Sequence, residues 1–195
     1  METNTIIFMG PQGSGKGTQV ELLKGRFEED GKSVIHLQTG QPFRDMMERG
    51  SFTADRVKAL MNSGQLVPDW LTDALVAREL EEKLTEETVM ILDGYPRNLA
   101  QASVLEDMLA FYGRSQLAVV YLDTPEEVVK ERMLCRGRSD DTEEAIEQRL
   151  SLYKEMTEPV VGYYKERKGT NMIIVDGGAT IEVVQSDVIA KLDDE

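Results

Sequence analysis

Five short, β-rich apolar runs separated by longer stretches of helical periodicity predict a doubly wound α/β fold, a parallel sheet covered on both faces. The runs lie at about 5–9, 33–37, 88–92, 117–122 and 171–175. The first, T-I-I-F-M, breaks into a glycine-rich turn and then an amphipathic stretch at 16–29. Residues 38–67 lack an obvious strand and carry two short helical pieces, so they are read as a small lobe inserted into the sheet domain. V-M-I-L-D at 89–93 is an apolar strand that ends on a carboxylate, Asp93. Thr124-Pro125-Glu126-Glu127 offers an N-cap, a proline at the first helical position and a capping-box glutamate. Asp141 followed by Glu144 marks a second such start, and Pro159 is expected to kink or end that long helix.

Composition narrows the function. The chain has 195 residues, 41% hydrophobic and 30% charged, ordinary for one globular domain with an inserted lobe. No apolar stretch approaches the roughly 18 residues of a membrane span, and no basic-then-apolar signal opens the chain, so a cytoplasmic protein without a membrane partner is expected. A single cysteine, Cys135, and a single histidine, His36, exclude an internal disulfide and a structural zinc cluster. Both are read as packing or helix-surface residues, as are Tyr112, Tyr153, Tyr163 and Tyr164. A net charge of −14 argues against nucleic acid, which needs a basic stripe to displace counterions. Any polyanion bound here must meet basic residues concentrated in a pocket.

The turn after the first run supplies such a place. Gly10-Pro11-Gln12-Gly13-Ser14-Gly15-Lys16 follows a strand and precedes a helix, the context a phosphate-cradling loop requires. Its glycines let the backbone wrap closely around oxygens, the helix start presents free N–H groups, and Lys16 adds a mobile full charge. Gly17 stands where a Ser or Thr usually contacts magnesium, with Thr18 displaced by one. Asp93 is well placed to orient Mg²⁺ through its bound waters.

Five motifs in order extend the pattern: G-P-Q-G-S-G-K-G-T-Q, then Q-T-G with Arg44 beyond it, then G-Q-L-V-P-D at 64–69, L-D-G-Y-P-R with Gln101 nearby, and R-G-R-S-D-D at 136–141. Together they resemble the adenylate kinase family of nucleoside monophosphate kinases over nearly the whole chain. The resemblance implies a three-layer P-loop fold with a five-stranded parallel sheet, a core at 1–37, 68–135 and 142–195, a nucleoside-monophosphate lobe at 38–67 and a very short lid at 136–141. It implies that Gly13, Ser14, Gly15, Lys16, Gly17 and Thr18 cradle the ATP phosphates, with Arg132 over the ATP base and the backbone of Ala179 completing that pocket. It implies an AMP site made by Thr39, Gly40, Arg44, the segment Gln65, Leu66 and Val67, the loop Gly94, Tyr95, Pro96 and Arg97, and Gln101. Arg44 and Arg97 have the forked donors to grip a phosphate, and Gln101 can show both a donor and an acceptor to adenine. Arg136, Arg138 and Arg149 are expected around the transferring group.

The chemistry implied is reversible transfer from ATP to AMP, giving two ADP, with Mg²⁺ accompanying ATP and no zinc. The attacking phosphate oxygen is already ionised near neutral pH, so alignment and well-placed cations suffice and no general base is needed. Nothing demands more than a monomer. Two departures from the family stand out: Gln41 where relatives commonly have aspartate, and a lid shorter than the usual compact form, which leaves closure over the site to the 38–67 lobe. The rival readings are a UMP/CMP kinase, suggested by Asn98 directly after Arg97, and a non-catalytic nucleotide-binding switch. Thr39 and Gln101 favour adenine, and a guanine-reading N-K-x-D pattern is absent.

Overall fold

In the computed structural model, which describes residues 4–138 and 140–193, the five apolar runs become one parallel sheet. Its strands are β1 (Thr5–Met9), β2 (Val34–Gln38), β3 (Val89–Asp93), β4 (Leu117–Asp123) and β5 (Thr170–Asp176), in the spatial order β2-β3-β1-β4-β5. Residues 1–3, Ser139 and 194–195, parts of the expected core ends and lid, lie outside the described residues.

Alternation along each strand builds a layer on either side. Ile7, Met9, Met90, Leu92 and Val119 point to one face and pack with Val76, Leu80, Leu105, Leu109 and Tyr164. Those partners belong to α4 (Asp69–Lys83), α5 (Leu99–Phe111) and α8 (Glu158–Glu166). Ile6, Phe8, Ile91, Ala118 and Val120 point the other way and meet Val20, Leu23, Phe27, Val188 and Leu192. These lie on α1 (Lys16–Glu29) and α9 (Ile181–Asp193). The central strands are therefore apolar on both faces, which is why they read as unbroken hydrophobic runs. Each fully buried aliphatic side chain contributes about 1.5–3 kcal/mol relative to exposure, so this double layer dominates stability.

The sequence 38–67 forms α2 (Gly40–Arg49) and α3 (Phe52–Asn62), the latter capped by Ser51, whose hydroxyl accepts from the Ala54 N–H. Phe43, Val57 and Val67 make a small separate core there, with Leu71 and Leu75 of α4 against it. No helix among the described residues is long and apolar enough to cross a membrane.

Two local expectations need correction, and a third is met. Thr124 does not cap α6 (Glu126–Arg136): its hydroxyl donates to the Leu122 carbonyl, and Pro125, with extended ψ, occupies the cap position one residue later. Asp141 does not start the next helix either. Thr142 caps α7 (Glu143–Leu152), accepting from the Ala145 N–H, because the Asp141 carboxylate is taken by two guanidinium groups. Pro159 sits in the first turn of α8, and the interruption falls just before it, as a π-helical turn over Tyr153–Thr157. A proline lacks an N–H and clashes with the preceding turn, so the chain widens by a residue ahead of it.

Candidate active site

The sheet delivers two elements to one edge. β1 is central: the chain leaves it to one side for β2 and β3 and to the other for β4 and β5, and ligand crevices open at such a reversal. Phe8 of β1 is in register with Asp93 of β3, so the loop leaving β1 and the carboxylate ending β3 are neighbours. A Cβ on Gly17 would stand 3.6 Å from Asp93 Oδ2.

The loop is shaped by what it lacks. Gly13 has φ +90°, and a Cβ there would meet the Val129 carbonyl at 2.8 Å, so the loop can lie against α6 only as glycine. Gly15 precedes α1 without any side-chain cap, leaving the first N–H groups of the helix for a ligand. The Ser14 hydroxyl is buried with no partner. Lys16 Nζ folds back over the mouth of the loop, donating to the carbonyls of Gly10 at 2.8 Å and Pro11 at 2.9 Å. Removal from water lowers its pKa to about 8, helped by Arg97 and Arg136 and opposed by Asp93.

Around the loop opens a cleft of about 670 Å³, within the range of small-molecule sites. Seven cationic side chains line it: Lys16, Arg44, Arg97, Arg132, Arg136, Arg138 and Arg149, against three carboxylates, Glu21, Asp93 and Asp140. An acidic chain thus concentrates positive charge in one place. Gly13, Gly15, Gly17 and Thr18 line the same cleft, as do Thr39, Gly40, Gln65, Leu66, Val67, Gly94, Pro96 and Gln101. Three expected residues stand back from it. Ser14 is under the loop, and Tyr95 is buried, with its hydroxyl on Asp73 at 2.8 Å. Ala179 packs partly buried on the outer sheet layer, while its neighbour Gly177 accepts from Arg132 at 2.7 Å.

The arginines are held individually. Arg97 donates through Nε to the Gly94 carbonyl at 2.7 Å, its N–H reaches Gln101 Oε1 at 2.8 Å, and its carbonyl accepts from the Thr157 hydroxyl. Burial lowers the Arg97 pKa, with Arg149 and Arg44 acting in the same sense and Asp93 against them. Arg149 is nearly buried and bonds Asp141 at 2.8 Å and Asp140 at 2.6 Å; it also reaches the Met61 carbonyl of α3 at 3.3 Å. Arg136 forks onto the same Asp141, at 2.6 and 2.9 Å. Burial, with Arg136 and Arg44 nearby, lowers the Arg138 pKa. Arg44 leans on Gln41 Oε1 at 3.2 Å, and Gln41 in turn donates to Asp45.

Several cleft residues were not legible in advance. His36, read as packing, lines the cleft from β2; Nδ1 is 2.9 Å from Glu21 and Nε2 is 3.9 Å from Asp93 Oδ2, an ion-pair distance and not a hydrogen bond. Burial pushes the Asp93 carboxyl up, but His36, Lys16 and Arg97 outweigh it and hold the group below its ordinary value. Tyr153 and Thr157 enter the lining from the π-helical turn. Asp140 and Asp141 were visible only as an acidic pair; their spacing from Arg136 and Arg149 was the available signal. Cys135 is exposed on α6, outside the lining.

Asn98 faces elsewhere. Its Oδ1 accepts from the Gln101 N–H at 2.8 Å as the cap of α5, and its Nδ2 donates to Asp69 at 2.9 Å.

The donor set suits a hydrated magnesium ion. Among the described residues no group of three His, Cys, Asp or Glu side chains could enclose a metal, whereas one carboxylate beside a phosphate loop fits an ion that keeps its waters and arrives on phosphates.

Comparison with known proteins agrees with this architecture. The family model "Adenylate kinase" matches residues 8–169. The chain is similar to the adenylate kinase of Thermus thermophilus, 42% identical over 191 residues and 96% of each chain. It is 38% identical to that of Prochlorococcus marinus over 187 residues, covering 96% of this chain and 97% of the other. Adenylate kinase 1 of Nostoc sp. is 37% identical over 187 residues with the same coverage. With a phosphate loop, a carboxylate-ended neighbouring strand and an arginine-lined cleft on a five-stranded parallel sheet, the chain belongs to the adenylate kinase family.

Proposed function

We propose that the cleft carries reversible phosphoryl transfer from ATP to AMP, giving two ADP. The observation that carries this reading is the convergence of seven cationic side chains on one cleft of a protein whose net charge is −14. A polyanionic transition state is what such a field stabilises.

Residues 13–18 and Lys16 hold the ATP phosphates, Lys16 exchanging its two loop carbonyls for phosphate oxygens. Arg132 and the backbone at Ala179 bound the ATP base. Arg44 and Arg97 grip the AMP phosphate; Thr39, Gly40, the segment 65–67, the loop 94–96 and Gln101 wall the AMP base and ribose. Arg136, Arg138 and Arg149 surround the transferring group, with Asp140 and Asp141 fixing two of them. Asp93 would hold, through water, the Mg²⁺ that accompanies ATP, and that ion would supply charge neutralisation on the phosphates.

The acceptor oxygen is ionised already, so no residue is required to remove a proton. In-line placement and exclusion of water carry the rate. The segment 38–67 closes over AMP, and residues 136–141 form a minimal lid. The reading includes a cytoplasmic monomer whose partners are ATP, AMP and ADP, without nucleic acid or membrane.

Asn98 was the residue that favoured UMP or CMP, and its side chain is spent on capping α5 and on Asp69. A coupled assay of ADP formation with ATP and Mg²⁺ tests the proposal, with AMP, GMP, UMP and CMP offered separately beside a control without acceptor. Fast turnover with AMP supports it; preference for a pyrimidine nucleotide, or equal turnover without acceptor, overturns it.

A further inference from the structure

Gln101 is held by two partners of opposite kind. The Arg97 backbone N–H, which can only donate, points at Oε1 from 2.8 Å. The Asp69 carboxylate, which can only accept, takes Nε2 at 2.8 Å. A reversed amide would set donor against donor and acceptor against acceptor, so the orientation follows from chemistry. Gln101 is 2% exposed, yet it borders the cleft. One N–H and one lone pair of its amide remain uncommitted.

Asp69 lies in the first turn of α4, in the L-V-P-D stretch, and its Oδ1 also accepts from Asn98 Nδ2 at 2.9 Å. One carboxylate oxygen therefore joins the start of α4 to the start of α5 through two amides. Four residues on, Asp73 accepts from the Tyr95 hydroxyl at 2.8 Å, so the same helix face steadies the whole 95–101 loop.

We infer that Asp69 is a positioning residue for base selection: by fixing the Gln101 amide it selects bases by the order of their donor and acceptor. This rests on the reading of Gln101 as the base-facing residue. Adenine presents an amino donor beside a ring-nitrogen acceptor, and cytosine presents the same order. Guanine and uracil present the reverse, a carbonyl acceptor beside a ring N–H donor. A fixed amide complements the first pair and opposes the second. Exclusion of cytosine is then left to the size of the pocket.

The test is kcat/KM for AMP, GMP, UMP and CMP, with melting temperature in parallel. In Asp69→Ala the preferences for AMP over GMP and over UMP are each expected to fall about tenfold, the scale of one bidentate base contact. The preference for AMP over CMP stays within about twofold, because both bases keep the same order. Asp69→Asn retains the wild-type preferences, since its carbonyl can accept both amides. Asn98→Ala, which removes the other arm, lowers the melting temperature without moving the preferences. Should Asp69→Ala not fold, Asp69→Ser, also too short to reach Nε2, gives the same readout.

Unchanged preferences in Asp69→Ala and Asp69→Ser, beside altered ones in Gln101→Ala, overturn this inference and leave the base reading standing. Unchanged preferences in Gln101→Ala as well overturn both.

Discussion

The Thr157 hydroxyl donates to the backbone carbonyl of Arg97 at 2.7 Å, across 60 residues of sequence. Thr157 ends the π-helical turn that precedes Pro159, and the widened turn is what brings its side chain over the AMP-side loop. Thr157→Val keeps the shape and deletes the donor, leaving a partly buried carbonyl unpaired at a cost of about 1–3 kcal/mol. KM for AMP is expected to rise several-fold while KM for ATP holds. Initial-rate kinetics with each substrate varied in turn separates the two; parallel rises in both would mean a general loosening of the fold.

With Lys16 on the ATP phosphates, as proposed, pH is tied to ATP binding. The Lys16 pKa near 8 in the unliganded cleft means that the charge is present below that pH and lost as pH rises through it. ATP affinity is therefore expected to be level below about pH 8 and to weaken by up to about tenfold per unit above it, until the phosphate-bound state also loses its proton. Equilibrium titration with ATP across that range checks this. A lysine at its ordinary value would keep the curve flat to about pH 10.

Gly64 joins α3 to the rest of the molecule. It has φ +74°, and a Cβ there would stand 2.5 Å from the Ala145 carbonyl of α7. Both the left-handed backbone and the contact oppose a side chain, so Gly64→Ala is expected to cost about 1–3 kcal/mol in stability. It also pushes α3 away from Arg149, which bonds the Met61 carbonyl. Denaturant unfolding and KM for AMP are the measurements; both are expected to worsen together.

Water exclusion belongs to the 38–67 segment in this account. Hydrolysis of ATP without acceptor is expected to be slow and to change when an unreactive AMP analogue occupies its site. Identical hydrolysis rates with and without the analogue would assign exclusion elsewhere.

The layered sheet was legible because β1, β3 and β4 are buried on both faces along most of their length and carry a charged residue only at their ends. The phosphate loop and the arginines were legible because phosphate chemistry admits few residue types at fixed spacing. Caps were less so. Thr124 and Asp141 both satisfy the local rule for a helix start, and in both cases a tertiary partner claimed the side chain: the Leu122 carbonyl for one, Arg136 and Arg149 for the other. His36 was read as packing because alternation along a strand does not say what stands at the end of the neighbouring one. Register sets it one strand from Asp93. Asn98, directly after Arg97, suggested a UMP/CMP kinase by position in sequence, and only the hydrogen bonds to Gln101 and Asp69 show its side chain committed elsewhere.

The transition-state role proposed for the arginines has a definite scale. Arg97→Ala and Arg138→Ala are each expected to lower kcat about a hundredfold, on the order of 3 kcal/mol, with the fold intact by circular dichroism. Full activity in either variant would remove that residue from the site.

The most direct test of two adjacent nucleotide sites uses ADP and Mg²⁺ alone, with products followed by phosphorus NMR. Equal amounts of ATP and AMP, with no inorganic phosphate, are expected, because one ADP must donate to the other within a single closed cleft. Inorganic phosphate in place of ATP, or ADP that stays unchanged, would contradict phosphoryl transfer between two bound nucleotides.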